Sequence, residues 1–371
     1  VMTCDFLALA RPGVQKLSPY VPGKPVEELA REFGLRPQDI VKLASNENPL
    51  GPSPAVKKAI EAALPELTRY PDGNGFALKQ ALATKLGVPT ASITLGNGSN
   101  DILELVTRAF VGPEHEVIFS DHAFAVYPIV TQAVGATAVS VPAKDWGHDL
   151  PAMAAAISDA TRMIFIANPN NPTGTWIERV ELEAFLAQVP ETVMVVLDEA
   201  YTEYVETDDV PNGMDYLAQY PNLLVSRTFS KAYGLAALRV GYGVSSPQIA
   251  DALNRVRQPF NVNSLALAAA LAALQDEAYL IESRRINRLG MQQLEDGCAL
   301  MGLSWIPSRG NFLAIDLGRE AAPVFQALLR EGVIVRPVAN YGMPNHLRVT
   351  VGLPEENQRF LDVLKQVLIS G

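Results

Sequence analysis

Between residues 93 and 244 short apolar runs, rich in β-branched side chains, alternate with stretches of helical apolar spacing. Seven of the runs read as strands: 93–95, 117–120, 136–141, 163–167, 193–197, 223–227 and 240–244. Several are apolar throughout rather than at every second position, as a strand covered by helices on both faces must be. The intervening stretches 101–110, 124–134 and 179–188 space apolar residues at the helical period. The alternation predicts an α/β fold around an open, mainly parallel sheet. In such sheets ligands bind at the carboxyl ends of the strands.

After about Pro259 the rhythm changes. An Ala/Leu-rich stretch, 264–279, leads into a charged helical stretch, 282–301, then strand-like runs at 312–316, 333–336 and 347–351 and an amphipathic helix from Glu355. This reads as a smaller α+β domain. Pro12, Pro19, Pro22 and Pro25 punctuate the first ~45 residues into an arm with a short helix around 27–32. A chain of 371 residues holds about two domains. The expected bounds are 1–45 for the arm and part of the small domain, 46–262 for the large domain and 263–371 for the small one.

Charge narrows the partners. Forty acidic against 30 basic residues leave a net charge of −10. That repels phosphate backbones and anionic lipid alike, so neither nucleic acid nor membrane is expected, although a local basic pocket can hold one small anion. No apolar run approaches the ~20 residues of a membrane helix. Asp5 beside Phe6, with no basic leader, gives no sign of a secretory signal. Cys4 and Cys298 stand far apart in no redox or metal spacing, which suits a reducing cytoplasm. The four histidines match no metalloprotease pattern, and no metal is expected.

Four clusters at strand ends carry the chemistry. Gly96-Asn97-Gly98-Ser99-Asn100-Asp101 is a glycine-rich turn from strand to helix. Free amides there, backed by the helix dipole, suit an anion, while a plain cap by Ser99 or Asn100 is the bland alternative. Asp at 101 spoils the dinucleotide-binding fingerprint. Asn168-Pro169-Asn170-Asn171-Pro172-Thr173-Gly174 is a turn whose two prolines fix an amide at a strand terminus. Asp198-Glu199-Ala200-Tyr201 closes another run, where Asp198 either caps a helix or, if buried, needs a cationic or donor partner. Thr228-Phe229-Ser230-Lys231, with Arg239 downstream, gathers hydroxyls and cations at a strand end. A lysine desolvated there would have the lowered pKa that imine chemistry needs.

A phosphate cradle, a fixed amide, a carboxylate and an amine are what pyridoxal phosphate requires. In this order the clusters resemble those of the fold-type I aminotransferases. The resemblance runs from Leu17-Ser18-Pro19-Tyr20 and Ser45-Asn46-Glu47-Asn48-Pro49-Leu50-Gly51 to Leu347-Arg348-Val349-Thr350-Val351-Gly352. It implies a large domain that binds pyridoxal 5'-phosphate on a seven-stranded sheet, and a small domain built from both chain ends. Lys231 would hold the cofactor and shuttle protons, and Asp198 would pair with the ring nitrogen. Tyr201 and Asn171 would hydrogen-bond the ring oxygen. Gly98, Ser99, Asn100, Thr228, Ser230 and Arg239 would surround the phosphate. Phe124 would stack on the ring, with a core phenylalanine as its alternative. Tyr70 would reach across a homodimer to the partner's phosphate.

Within the family the chain closely resembles the members that act on histidinol phosphate. The resemblance points to Tyr20, Asn171, Arg336 and Arg348 as substrate contacts, and arginine grips phosphate or carboxylate with paired bonds. The implied reaction joins histidinol phosphate and 2-oxoglutarate to imidazole-acetol phosphate and glutamate, in histidine biosynthesis. Transamination of aromatic amino acids and decarboxylation of a phospho-amino acid are the rival readings. A non-catalytic binding module and a hydride-transfer enzyme are the others.

Overall fold

The computed structural model describes residues 4–370, so the expected domain limits at residues 1–3 and 371 lie outside the described residues. After the helix Val26–Phe33 comes a two-residue strand, β1 (Val41–Lys42). The large sheet follows with β2 (Ile93–Gly96), β3 (Glu116–Ser120), β4 (Thr137–Val141), β5 (Thr161–Ala167), β6 (Met194–Asp198), β7 (Leu223–Thr228) and β8 (Gly241–Ser245). Their spatial order is β2-β8-β7-β6-β5-β3-β4. Only β8 runs against its neighbours, so the sheet is mainly parallel as expected.

The continuous apolar runs follow from two separate cores. Strand residues alternate between faces, and Phe165, Val196 and Leu224 pack with the helices Ser99–Phe110, Val126–Ala133 and Pro247–Val256. Ile164, Val195 and Val225 face the other way, toward Leu150–Ala155 and Arg179–Leu186. Each fully buried aliphatic or aromatic side chain is worth about 1.5–3 kcal/mol. In the central strands β5, β6 and β7 both faces are covered, so the groups they offer a ligand lie at the strand ends.

The remaining strands are β9 (Ser304–Ile306), β10 (Phe312–Asp316), β11 (Val333–Ile334), β12 (Arg336–Pro337) and β13 (His346–Thr350). An antiparallel sheet has the order β12-β13-β10-β9, and β11 pairs in parallel with β1. Leu313, Ile315, Leu347 and Val349 form its core with the helices Glu277–Leu300, Ala321–Arg330 and Pro354–Ser370. Two expectations are corrected here. The run 333–336 divides, because Val333 and Ile334 pair with β1 while Arg336 pairs with Arg348 of β13. The stretch 264–279 breaks at Asp276, whose carboxylate accepts from the Tyr279 amide and caps a new helix at an angle of 79° to the first. Among the described residues no single helix is long and apolar enough to cross a membrane.

Candidate active site

The carboxyl ends of β5, β6 and β7 open into a cavity of about 420 Å³, closed from the other side by β12, β13 and the segment 44–47 that follows β1. Asp198 ends β6 and is 5% exposed. Its Oδ2 accepts from the Tyr127 hydroxyl at 2.8 Å, and Oδ1 is buried with no hydrogen-bond partner. Tyr127 is itself fully buried and stacked on Phe165, with ring centroids 4.7 Å apart, so the carboxylate is held firmly. Burial pushes the Asp198 carboxyl up to about 6, with the Tyr127 bond acting against it. Asp198 is no helix cap: the next turn, Thr202–Tyr204, has Tyr201 at its cap position. A buried acceptor without a donor is costly, and a cationic N–H is the group that satisfies it best.

Lys231 lies in the turn after β7, and its Nζ donates to the Ser45 carbonyl at 3.1 Å. Burial, followed by the guanidinium of Arg348, pushes its ammonium down to about 8. Nζ stands 5.9 Å from the centre of the Tyr201 ring, on the cavity wall that also holds Asp198. The lysine and the carboxylate therefore line one cavity, although they stand 33 positions apart in the chain with β7 between them.

Two polar side chains face the same space. The Tyr201 oxygen accepts from Asn46 Nδ2 at 2.9 Å, and burial pushes its phenol up to about 12. Asn171 Oδ1 accepts from Arg348 Nη1 at 2.5 Å. Its neighbour Asn170 is spent on the loop, donating to the His122 carbonyl and to Thr173 Oγ1. The fixed amide of the proline-bracketed turn is thus Asn171, as the resemblance implied.

One end of the cavity is built for an anion. Gly98 caps the helix Ser99–Phe110 without a side chain, so neither Ser99 nor Asn100 caps it and their amides stay clear of intrahelical bonds. Gly98 has φ of 80°, and a Cβ on it would lie 2.5 Å from Arg239 Nη2. A Cβ on Gly241 would lie 2.6 Å from the Ser99 amide. Backbone, Arg239 and the ends of β7 and β8 therefore close on one another around the helix start. Thr228, which accepts from the Ser230 amide at 3.1 Å, and Ser230 itself complete that wall.

The other end holds two arginines directly across a ladder. Arg336 and Arg348 are partners in the β12–β13 register and so point to one face. Arg336 Nη2 donates to the Val21 carbonyl at 2.6 Å, and its Cζ lies 5.6 Å from the centre of the Tyr20 ring. Arg348 Nη2 donates to the Ala44 carbonyl at 2.7 Å, while its Nε is buried without a partner. Burial, and among the charges Arg336, push the Arg348 guanidinium below its ordinary value. Like charges opposite one another cost stability unless an anion joins them.

Phe124 precedes the helix Val126–Ala133, lines the cavity and meets Tyr127 edge-on at 5.8 Å. The same ring packs on the core and lines the cavity. Tyr70 lies outside its own chain's cavity, 82% exposed and stacked on Phe260 at 4.7 Å. Sequence reasoning gave no role to Tyr127 or Asn46. Tyr127 reads as one apolar position of a helix, and Asn46 as one polar residue in a polar turn.

A mainly parallel sheet bearing an amine, a buried carboxylate and an anion-binding helix start defines a class before any comparison. The sequence pattern of the family "Aminotransferase class I and II" matches residues 38–364, and the chain belongs to that family. It is 72% identical over 367 residues to histidinol-phosphate aminotransferase 2 of Pseudomonas fluorescens strain Pf-5, with 99% of each chain covered. To histidinol-phosphate aminotransferase 2 of Pseudomonas aeruginosa PAO1 it is 70% identical over 364 residues, covering 98% of this chain and 99% of the other. The crystal structure of histidinol-phosphate aminotransferase from Sinorhizobium meliloti, a complex with pyridoxal-5'-phosphate, superposes with a TM-score of 0.89 at 33% identity and 97% coverage of both chains.

Proposed function

We propose that this aminotransferase uses pyridoxal 5'-phosphate to interconvert histidinol phosphate and 2-oxoglutarate with imidazole-acetol phosphate and glutamate, a step of histidine biosynthesis. The observation that carries the cofactor reading is the orphaned Oδ1 of Asp198 in one cavity with Lys231 and the bare amides of Ser99 and Asn100. The cross-strand arginine pair supports an anionic substrate, and identities of 72% and 70% over almost the whole chain to enzymes named for histidinol phosphate support the particular one.

When bound, pyridoxal phosphate supplies an aldehyde for amines and a protonated ring that withdraws electrons from the reacting carbon. Asp198 Oδ1 accepts the ring N–H and keeps that proton in place. Tyr201 and Asn171 donate to the ring oxygen. The amides of Ser99 and Asn100, the hydroxyls of Thr228 and Ser230, and Arg239 hold the phosphate, with Gly98 giving Arg239 room. Phe124 covers the ring. Lys231 Nζ would be the group that holds the cofactor and moves the proton taken from the substrate carbon. Arg336 and Arg348, with Tyr20 beside them, grip the substrate's anion, first the phosphate and then a carboxylate of the second substrate. Tyr70 contacts the partner subunit's phosphate in a homodimer working in the cytoplasm on small molecules alone. The division into residues 1–45, 46–262 and 263–371 places the cofactor on the large part and the arginine pair on the small one.

Turnover of histidinol phosphate, phenylalanine and threonine phosphate by the purified, pyridoxal-phosphate-loaded protein tests this. Histidinol phosphate is expected to have the highest kcat/KM by at least tenfold. A preference for phenylalanine, or carbon dioxide release from threonine phosphate, overturns the substrate reading. Absence of a yellow, borohydride-reducible adduct overturns the cofactor reading.

A further inference from the structure

Asn46 has a backbone that only a few residue types accept and a side chain whose orientation can be worked out from its partners. Its φ of 55° lies in the left-handed region, where asparagine is among the best tolerated residues after glycine. Three hydrogen bonds hold it there. Its amide donates to Thr350 Oγ1 at 2.8 Å, its carbonyl accepts from Asn311 Nδ2 at 3.0 Å, and its Oδ1 accepts from the Thr350 hydroxyl at 3.1 Å. Thr350 Oγ1 already receives one N–H, so its own hydrogen must go to an acceptor. That fixes Oδ1 on the Thr350 side. Turned the other way, the carboxamide would face Thr350 with a second donor and leave the hydroxyl hydrogen without an acceptor among the described residues.

The consequence falls on Tyr201. With Oδ1 committed, the group that meets the Tyr201 oxygen at 2.9 Å is the NH2 of Asn46, a donor only. The tyrosine oxygen accepts there, so its single hydrogen is left for the cavity side. Arg348 acts on Asn171 in the same sense: by donating to Oδ1 it leaves the Asn171 NH2 as the group to be presented. Both wall residues are turned into donors by neighbours behind them.

We infer that Asn46 is a positioning residue that commits the Tyr201 hydroxyl to donate into the cavity, clamped from the small sheet by Thr350 of β13. The inference rests on the cofactor reading above. A donor aimed at a ring oxygen withdraws its negative charge and weakens the hold on a proton at the adjacent nitrogen joined to Lys231. Asn46 therefore sets the pH at which the cofactor's visible absorption changes, and does so only through Tyr201.

The test compares Asn46→Gly and Asn46→Asp, each alone and combined with Tyr201→Phe, in the loaded dimeric or monomeric protein as purified. Glycine keeps the left-handed backbone and removes the donor. Aspartate keeps shape and offers the phenol an acceptor, turning its hydrogen away. The visible absorption is titrated against pH, and the dissociation constant of pyridoxal phosphate is measured alongside. In the Tyr201 background the absorption midpoint is expected to rise by about 1 pH unit for Asn46→Gly, what one hydrogen bond is worth, and by more for Asn46→Asp. In the Tyr201→Phe background neither change moves it further. An unmoved midpoint with an otherwise normal chromophore overturns the inference, as does an equal shift in both backgrounds. A wild-type protein with no chromophore overturns the cofactor reading, and this inference with it.

Discussion

Asp198 and Lys231 carry opposite charges into one cavity, and burial drives each toward neutrality: the acid up to about 6, the amine down to about 8. Capture of an aldehyde needs the free amine. The rate at which stripped protein takes up pyridoxal phosphate is therefore expected to rise about tenfold per pH unit up to about 8 and then flatten. Stopped-flow absorbance measures it, and a flat profile from pH 6 to 9 contradicts the assignment of Lys231. Tyr127→Phe removes the hydroxyl that donates to Asp198 Oδ2 and leaves a buried carboxylate more poorly paired. The expected loss of stability is about 1–3 kcal/mol. Because the carboxyl already titrates above its ordinary value, the bare charge is present above pH ~6 and neutralised below it. Thermal melts should separate wild type and variant more at pH 8 than at pH 5; the opposite order removes Tyr127 from its role.

At the scale of elements, what matters is where a strand stops and what the next turn does with its amides. The helix after β2 begins on a glycine, in a left-handed conformation, with Arg239 packed where a Cβ would be. Gly98→Ala is expected to weaken pyridoxal phosphate at least tenfold, about 1.4 kcal/mol, with the sheet intact. An unchanged dissociation constant in equilibrium titration would show that the anion binds elsewhere. The β12–β13 pair makes the second element-scale prediction. Arg348→Ala takes away the partner of Asn171 and half of the arginine pair together, and kcat/KM should fall about 30- to 1000-fold, or about 2–4 kcal/mol. Steady-state kinetics retaining wild-type kcat/KM would falsify it. Elements without strong periodicity were the hardest to foresee. Phe76–Leu86 spreads its apolar residues around the helix and marks no apolar stripe, and β9 is only Ser304–Ile306. Asp276 is the instructive case: a capping residue inside an apolar stretch reads as helix until the chain is seen to turn on it.

For the whole molecule the open question is Tyr70, which its own cavity does not use. If it serves a partner, two damaged chains complement each other. Lys231→Ala is expected to abolish transamination while leaving the fold, and Tyr70→Ala to impair it. Refolded together in equal amounts, random pairing puts one complete site in half the dimers, restoring about a quarter of wild-type activity. No recovery on mixing would place Tyr70 outside the active site.

The order of apolar runs by itself determined the sheet, because strands buried on both faces must be apolar throughout, and it placed four chemical clusters at strand ends. What the sequence left open was direction and partnership. Asn170 and Asn171 are alike in one dimension; only packing sends the first to the His122 carbonyl and the second to Arg348. Arg336 and Arg348 became one pair only through the register of β12 on β13. Tyr127 and Asn46 entered the site from segments that local pattern reads as core and turn, because hydrogen bonds over 71 and 155 residues of chain are decided by tertiary contact, where the periodicity of neighbouring residues has no say.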